Sequence, residues 1–205
     1  MKKIPTLFVR IFEDHKLTGI TSEFLYAEFE DILKVATPTI KWDGSCCAVI
    51  DGKFYKRYDA KKGKPVPEGA IKCQEEPDPE TGHLPCWVKV NPENKADKWF
   101  VEAYRNAFDE WVDPCVDSCM SSLPNGTYEA IGPHFQGNPY SLEKDILVPH
   151  GKHVAVWDDT PLHSFLNIRA YLNLHDVEGL VYWYNGEPVF KIKRTDFGYP
   201  WPVKK

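Results

Sequence analysis

The sequence has 205 residues, of which 42% are hydrophobic, 27% charged and 14% aromatic. This composition is typical of a soluble globular protein and excludes collagen-like, coiled-coil and disordered chains. The formal net charge of −5 argues against a protein that coats nucleic acid through its overall charge. No run of about 18 apolar residues is present, so we expect no membrane-spanning segment. The first residues lack a secretory signal, and we therefore expect a cytoplasmic protein whose six cysteines are reduced.

The first half of the chain is predicted to contain a helix, a hairpin and an insertion. Apolar residues at helical spacing predict a helix over residues 24–33. The pair Asp51-Gly52 is a two-residue turn signal, and it predicts a β-hairpin over residues 46–58. Residues 63–92 are rich in proline, glycine and charge, so we expect an insertion there within one domain spanning residues 1–205.

The second half of the chain is predicted to alternate helices with strands. The predicted elements are helices at 100–111 and 161–172, strands at 127–131 and 153–157, and a hairpin at 180–193 around Asn185-Gly186. Proline at position 114 is expected to end the first of these helices. Because helices and strands are mixed and most connections have hairpin length, we expect an α+β fold with an antiparallel sheet.

The last hairpin is predicted to carry a charged face. With Asn185-Gly186 as its loop, Glu178 lies opposite Lys193 and Leu180 lies opposite Lys191. The other face would then belong to the core and consist of Val181, Trp183, Phe190 and Ile192. The charged face has two interpretations, a solvated surface with one weak ion pair or a floor that binds an anion.

Five short motifs follow one another along the chain and carry a family resemblance. They are Lys41-Trp42-Asp43-Gly44, Arg57, Tyr128-Glu129, Glu178-Gly179-Leu180-Val181 and Lys191-Ile192-Lys193. Their order and spacing resemble the covalent nucleotidyltransferases, which are the ATP-dependent DNA and RNA ligases and the capping guanylyltransferases. The run from Lys41 to Cys47 is most similar to the small RNA ligases of the vertebrate 5′-3′ RNA ligase type.

This resemblance implies a fold and an activity. The implied fold is an antiparallel-sheet, ATP-grasp-like adenylylation domain with flanking helices. Only twelve residues follow Lys193, so no C-terminal OB domain is expected. The implied enzyme is an ATP-dependent RNA ligase that joins 5′-phosphate and 3′-OH ends of RNA. The alternatives are a DNA-nick ligase, a capping-type guanylyltransferase and a non-catalytic RNA- or nucleotide-binding module.

The resemblance also assigns catalytic roles to individual residues. Lys41 matches the nucleophile that forms a lysyl–AMP intermediate, and Lys191 and Lys193 match the pair that contacts the α-phosphate. Glu178 matches the carboxylate beside the catalytic metal, which is expected to be Mg²⁺ or Mn²⁺. A lysine attacks only as the neutral amine, so we expect neighbouring positive charge to activate it.

Five further residues are implied to hold the nucleotide. Thr39 and Ile40 precede the nucleophile, where the family reads the base. Trp157 matches an aromatic residue near the adenine, and Glu129 matches the carboxylate that holds the ribose hydroxyls. Arg57 matches a basic residue near the ribose or the 3′-OH strand. The expected partners are therefore ATP and RNA, with the oligomeric state left open.

A zinc site is an alternative use of the cysteines, with Cys73, Cys86, Cys115 and Cys119 as the ligands. Only the last two have the short separation that is typical of structural zinc sites, so buried thiols are the favoured interpretation. His150 is expected to be an ordinary loop histidine rather than a metal ligand.

Overall fold

Eleven strands and three α-helices form the described part of the computed structural model, which covers residues 2–79, 81–111 and 122–203. In chain order these elements are β1 (Phe8–Glu13), β2 (Lys16–Phe24), α1 (Phe29–Leu33), β3 (Thr37–Lys41), β4 (Ser45–Ile50), β5 (Lys53–Ala60), β6 (Ile71–Lys72), β7 (Leu84–Lys89), α2 (Lys98–Trp111), β8 (Gly126–Ile131), β9 (Ile146–Pro149), α3 (Phe165–Leu174), β10 (Gly179–Tyr184) and β11 (Glu187–Lys193). All paired strands within the sheets are antiparallel, so the predicted α+β class is confirmed. Pro114, Cys115 and Cys119 lie outside the described residues.

The chain divides into two units. The inserted unit consists of Met1–Lys3 and Asp43–His150, and the split unit consists of Ile4–Trp42 and Gly151–Lys205. None of the described helices has the length and apolar character needed to cross a membrane.

The inserted unit is built on a six-stranded sheet in the order β6-β7-β5-β4-β8-β9. The hairpin of β4 and β5 turns at Asp51-Gly52, as predicted, and both turn residues have positive φ angles. Helix α2 also forms where predicted, and its apolar side chains pack on a core that includes Tyr128, Phe135 and Leu147. The segment 63–92 supplies β6 and β7, and β7 pairs along β5. Proline and glycine content therefore did not prevent regular structure there.

The split unit contains a three-stranded sheet in the order β11-β10-β3 and the separate hairpin of β1 and β2. The main chain of β11 also bonds with the first residues of this unit, because Leu7 N donates to Lys191 O at 2.8 Å. The core of this unit lies between its sheet and helices α1 and α3. Its largest buried side chains include Phe8, Leu33, Ile168, Leu180, Tyr182 and Phe190.

Two predicted helix boundaries and one predicted strand in the split unit are wrong. Residues up to Phe24 belong to β2, and α1 begins only at Phe29, because Phe24 pairs with Phe8 across the β1–β2 hairpin. Helix α3 begins after Ser164, whose hydroxyl accepts a hydrogen bond from Asn167 N at 3.2 Å. Residues 153–157 form an isolated bridge to β3 rather than a strand.

The hairpin of β10 and β11 turns at Asn185-Gly186, as predicted, but its register differs. An irregularity beside Tyr182 shifts the pairing, so Tyr182 lies opposite Phe190 and Val181 lies opposite Lys191. The predicted pairs of Leu180 with Lys191 and of Glu178 with Lys193 are therefore wrong. A one-residue shift exchanges the two faces of a strand. The core face consists of Leu180, Tyr182, Phe190 and Ile192, all fully buried, and not of Val181 and Trp183.

Candidate active site

One end of the three-stranded sheet brings two of the predicted catalytic lysines to a single backbone position. Gly179 of β10 pairs with Lys41 of β3 on one side and with Lys193 of β11 on the other. Glu178 directly precedes Gly179 in the chain. The central strand therefore places one carboxylate between two lysines that are 152 positions apart in sequence.

Glu178 forms ion pairs with both lysines. Its Oε1 lies 2.7 Å from Lys193 Nζ, and its Oε2 is paired with Lys41 Nζ. Glu178 is only 4% exposed, and burial of a lone carboxylate would be strongly unfavourable. Each of its oxygens thus has a charged partner, and the pairing fixes the positions of both ammonium groups.

Gly179 lets the strands approach closely at this point. A Cβ atom on this residue would lie 2.2 Å from Ile192 O and 2.9 Å from Lys193 Cα. Both atoms belong to the β11 backbone, which cannot move aside without breaking the sheet. The absence of a side chain at position 179 is therefore a condition for the Lys193–Glu178 contact.

Lys191 adds positive charge that is not fully compensated. Burial is the main cause that lowers its pKa, and the charges of Lys41, Lys193 and Arg10 lower it further, to about 8. Glu178 acts in the opposite direction but does not cancel these effects. A partly buried lysine surrounded by cations is an environment that a bound anion, such as a phosphate, would stabilise.

Asp196 anchors the end of β11 and was missed by sequence reasoning. Its fully buried carboxylate accepts hydrogen bonds from Lys193 N at 2.8 Å and from Arg10 Nε at 2.9 Å. Arg194 N donates to Glu178 O at 2.8 Å, which ties the same turn to the start of β10. An acidic residue three positions after Lys193, at the start of a 3₁₀ helix, is the capping pattern that would have revealed it.

Thr39, Ile40 and Trp157 lie in the same unit as these lysines. Thr39 is buried, and its hydroxyl donates to Val181 O at 3.0 Å. Ile40 N donates to His153 O at 2.8 Å. Trp157 is half-buried against the core of the split unit. The hydroxyl proton of Thr39 is thus engaged by the sheet, which leaves its oxygen as an acceptor.

Glu129 and Arg57 lie in the inserted unit. Glu129 is on β8, and its Oε2 accepts a hydrogen bond from His150 Nε2 at 2.9 Å. Arg57 is on β5, and its Nε donates to Asp59 Oδ1 at 2.8 Å. The split unit thus brings Lys41, Glu178, Lys191 and Lys193 together, and Glu129 and Arg57 belong to the other unit.

The family model and the similar proteins all have the same description, RNA ligase 1. A family model described as RNA ligase 1 matches residues 64–205. An RNA ligase 1 of Danio rerio is 29% identical over 166 residues, which cover 72% of this chain and 47% of that protein. An RNA ligase 1 of Pongo abelii is 25% identical over 224 residues, which cover 82% and 69%. The RNA ligase 1 of Rattus norvegicus is 28% identical, with 72% and 47% covered.

The matches cover only part of the relatives and, for the family model, only part of this chain. The chain spans about half the length of the Danio and Rattus proteins, at 47% of each. The family model begins at residue 64, so it includes Glu129, Glu178, Lys191 and Lys193 but not Lys41. The family model therefore gives no information about position 41.

Proposed function

Because this chain belongs to the RNA ligase 1 family, we propose that it is an ATP-dependent RNA ligase that joins 5′-phosphate and 3′-OH ends of RNA. The observation that carries the proposal is the pairing of Lys41 and Lys193 with one buried carboxylate beside Lys191. We also propose that the fold is the antiparallel nucleotidyltransferase fold, which the motif order supports.

In the proposed first step, the neutral Nζ of Lys41 attacks the α-phosphorus of ATP. A P–N bond forms, the P–O bond to pyrophosphate breaks with its electron pair leaving on pyrophosphate, and the amine nitrogen loses one proton to solvent. The AMP is then transferred to the 5′-phosphate of RNA, which frees Lys41. Finally, the 3′-OH attacks the adenylylated 5′-phosphate, a phosphodiester bond forms and AMP leaves.

Lys191 and Lys193 are proposed to hold the α-phosphate during the first step. Fixed positive charge stabilises the negative charge that develops on the attacked phosphate, and it acts most strongly where water is excluded. The low pKa of Lys191 supports this role, because a bound phosphate supplies the counter-charge that this lysine lacks. Binding of ATP should therefore favour the protonated form of Lys191.

Glu178 is proposed as the protein ligand of Mg²⁺ or Mn²⁺. Its two ammonium partners already over-compensate the charge of Glu178, so the phosphate oxygens of ATP would supply the remaining negative charge. Mg²⁺ is usually held by one or two carboxylates and by such oxygens. Such an ion would supply further positive charge at the attacked phosphate. Before a metal ion binds, the ion pairs with Lys41 and Lys193 keep the carboxylate of Glu178 oriented.

The nucleotide-binding roles are proposals that rest on the resemblance. Thr39 and Ile40 would lie near the base, Trp157 near the adenine and Glu129 at the ribose hydroxyls. Arg57 would contact the ribose or the 3′-OH strand.

The decisive experiment is labelling of the protein with ATP that carries a radioactive α-phosphate. In the presence of Mg²⁺, wild-type protein should retain the label on a denaturing gel, and Lys41→Ala should not. Lys41→Arg keeps a positive charge beside Glu178 but should also fail, because a guanidinium is not a nucleophile at neutral pH. Lys34→Ala is the matched control, since Lys34 is an exposed lysine of the same unit.

Two results would contradict the proposal. One is the absence of label on wild-type protein, and the other is equal label on Lys41→Ala. Replacement of ATP by GTP, and of RNA by nicked DNA, tests the nucleotide and the substrate separately. Preferred labelling by GTP would favour a guanylyltransferase, and preferred sealing of nicked DNA would favour a DNA ligase.

A further inference from the structure

Three side chains of different chemical types converge on the sheet of the inserted unit. The Sγ atom of Cys46, a carboxylate oxygen of Glu129 and a ring nitrogen of His150 all lie within 4.8 Å of one another. Cys46 belongs to β4 and Glu129 to β8, and the two residues are direct partners in the sheet. His150 follows β9, the next strand of the same sheet. Three adjacent strands thus hold the three groups.

The imidazole of His150 is oriented by contacts at both ring nitrogens. Nδ1 lies 3.0 Å from Thr127 Oγ1, and Nε2 lies 2.9 Å from Glu129 Oε2. A hydroxyl can either donate or accept, so Thr127 can keep its contact when the ring changes tautomer. In the other tautomer Nε2 would carry a lone pair, which a metal ion placed between it and Glu129 could accept. A hydrogen bond that fixes the distal nitrogen is a regular feature of metal-binding histidines.

The charges of the three groups suit a divalent cation. As ligands, the thiolate of Cys46 and the carboxylate of Glu129 would together balance the two positive charges of such an ion. The guanidinium of Arg57 is paired with Asp59 at 2.8 Å.

The chemical types of the three donor atoms favour zinc over magnesium and calcium. One sulfur, one nitrogen and one oxygen are ligands that Zn²⁺ accepts together, whereas Mg²⁺ and Ca²⁺ prefer oxygen ligands alone. Ligands of a tetrahedral zinc ion lie at about 2.0–2.3 Å from it, and three protein ligands leave a fourth position open. The side chains are partly buried, with 14% of His150 and 12% of Glu129 exposed.

We propose that Cys46, Glu129 and His150 form a three-ligand zinc site in the inserted unit. The bond changes balance, because one S–Zn bond replaces the S–H bond of Cys46 and one proton is released to solvent at neutral pH. The ligands of this zinc site are different residues from Glu178, the proposed magnesium ligand. The existence of the zinc site does not depend on ligase activity.

The test is a titration of chelator-treated, full-length protein with Co²⁺, which reports its ligands through absorption. Wild-type protein should bind one Co²⁺ with a thiolate charge-transfer band in the near ultraviolet, and Zn²⁺ should abolish that band. Cys46→Ser should remove the band and weaken binding by at least about 100-fold, since it deletes a direct ligand. Release of about one proton per bound metal provides a second measurement on wild-type protein alone.

Matched controls come from the other cysteines. Cys73→Ser and the double variant Cys115→Ser/Cys119→Ser should keep the thiolate band. The proposal is overturned if wild-type protein shows no such band, if Cys46→Ser keeps it, or if the double variant loses it. Neither ATP nor RNA is present, so these outcomes are independent of the labelling experiment at Lys41.

Discussion

The buried charge of Lys191 should lower the free energy of unfolding at neutral pH. Replacement of Lys191 by methionine should therefore raise this free energy. The pKa of Lys191 falls from an ordinary value of 10.5 to about 8, because of burial and the charges of Lys41, Lys193 and Arg10. At about 1.4 kcal/mol per pH unit, this interval corresponds to a cost of up to about 3 kcal/mol. Methionine has a similar length and no charge, so Lys191→Met should raise the free energy of unfolding by up to that amount at pH 7.

The size of this stabilising effect should decrease as the pH rises. Below pH 8 the folded and unfolded chains both keep the proton on Lys191, so the folded chain bears the full cost. Between pH 8 and 10.5 the folded chain loses this proton first, and the wild-type protein gains stability as the pH rises. The advantage of Lys191→Met should therefore shrink over this range and disappear above about pH 10.5.

The assay is urea unfolding of both proteins at pH 7, 9 and 10.5, followed by tryptophan fluorescence. Lys193→Met is the matched control, because Lys193 lies two positions away on the same strand but is paired with Glu178 at 2.7 Å. It should lower the free energy of unfolding by about 1–3 kcal/mol, since it leaves a buried carboxylate short of a partner. The reasoning fails if Lys191→Met is destabilising at pH 7, or if its effect does not change with pH.

Two further outcomes are expected. Gly179→Ala should destabilise the protein by about 2 kcal/mol or more in urea unfolding, because its Cβ would lie 2.2 Å from a backbone oxygen, whereas Gly19→Ala, in open space, should have little effect. Equal effects of the two changes would contradict the packing at Gly179. Because Glu129 is proposed both as a zinc ligand and as the partner of the ribose, Zn²⁺ should raise the ATP concentration needed to label Lys41. In Cys46→Ser this inhibition should be weakened, and inhibition of unchanged strength would refute the competition.

Features with a local cause were predicted best. Asp51-Gly52 and Asn185-Gly186 adopt positive φ angles that few other residue pairs accept, so both hairpin turns could be located from the sequence alone. Helix α2 was also predicted, because its apolar residues recur at a spacing that fits no strand. These signals are contained within a few neighbouring residues.

Features with a distant cause were predicted poorly. Phe24 fits a helical pattern, but it is held in β2 by its pairing and ring contact with Phe8, at 5.3 Å between ring centroids. The register of β10 and β11 depends on an irregularity beside Tyr182, which no turn residue specifies. Both outcomes are decided by packing across the sheet, and that information is spread over the chain.

In the candidate site, too, local features were predicted from the sequence and contacts between distant residues were not. Lys191 and Lys193 were correctly placed on one face, because residues two apart on a strand share it. The contact of Lys41 with Glu178 was not visible from the hairpin alone, since β3 is remote in sequence and joins β10 from the other side. The roles assigned to Arg57, Glu129 and Trp157 stay predictions.

The interruption of the split unit by residues 43–150 has a consequence for biosynthesis. Strand β3 emerges from the ribosome early, but its only strand neighbour among the described residues, β10, is made after residue 178. Nearly all of the inserted unit is continuous in the chain, so it has the local connectivity that allows folding during translation. Lys41 therefore has no acidic partner at Glu178 until synthesis has passed the whole inserted unit and reached residue 178.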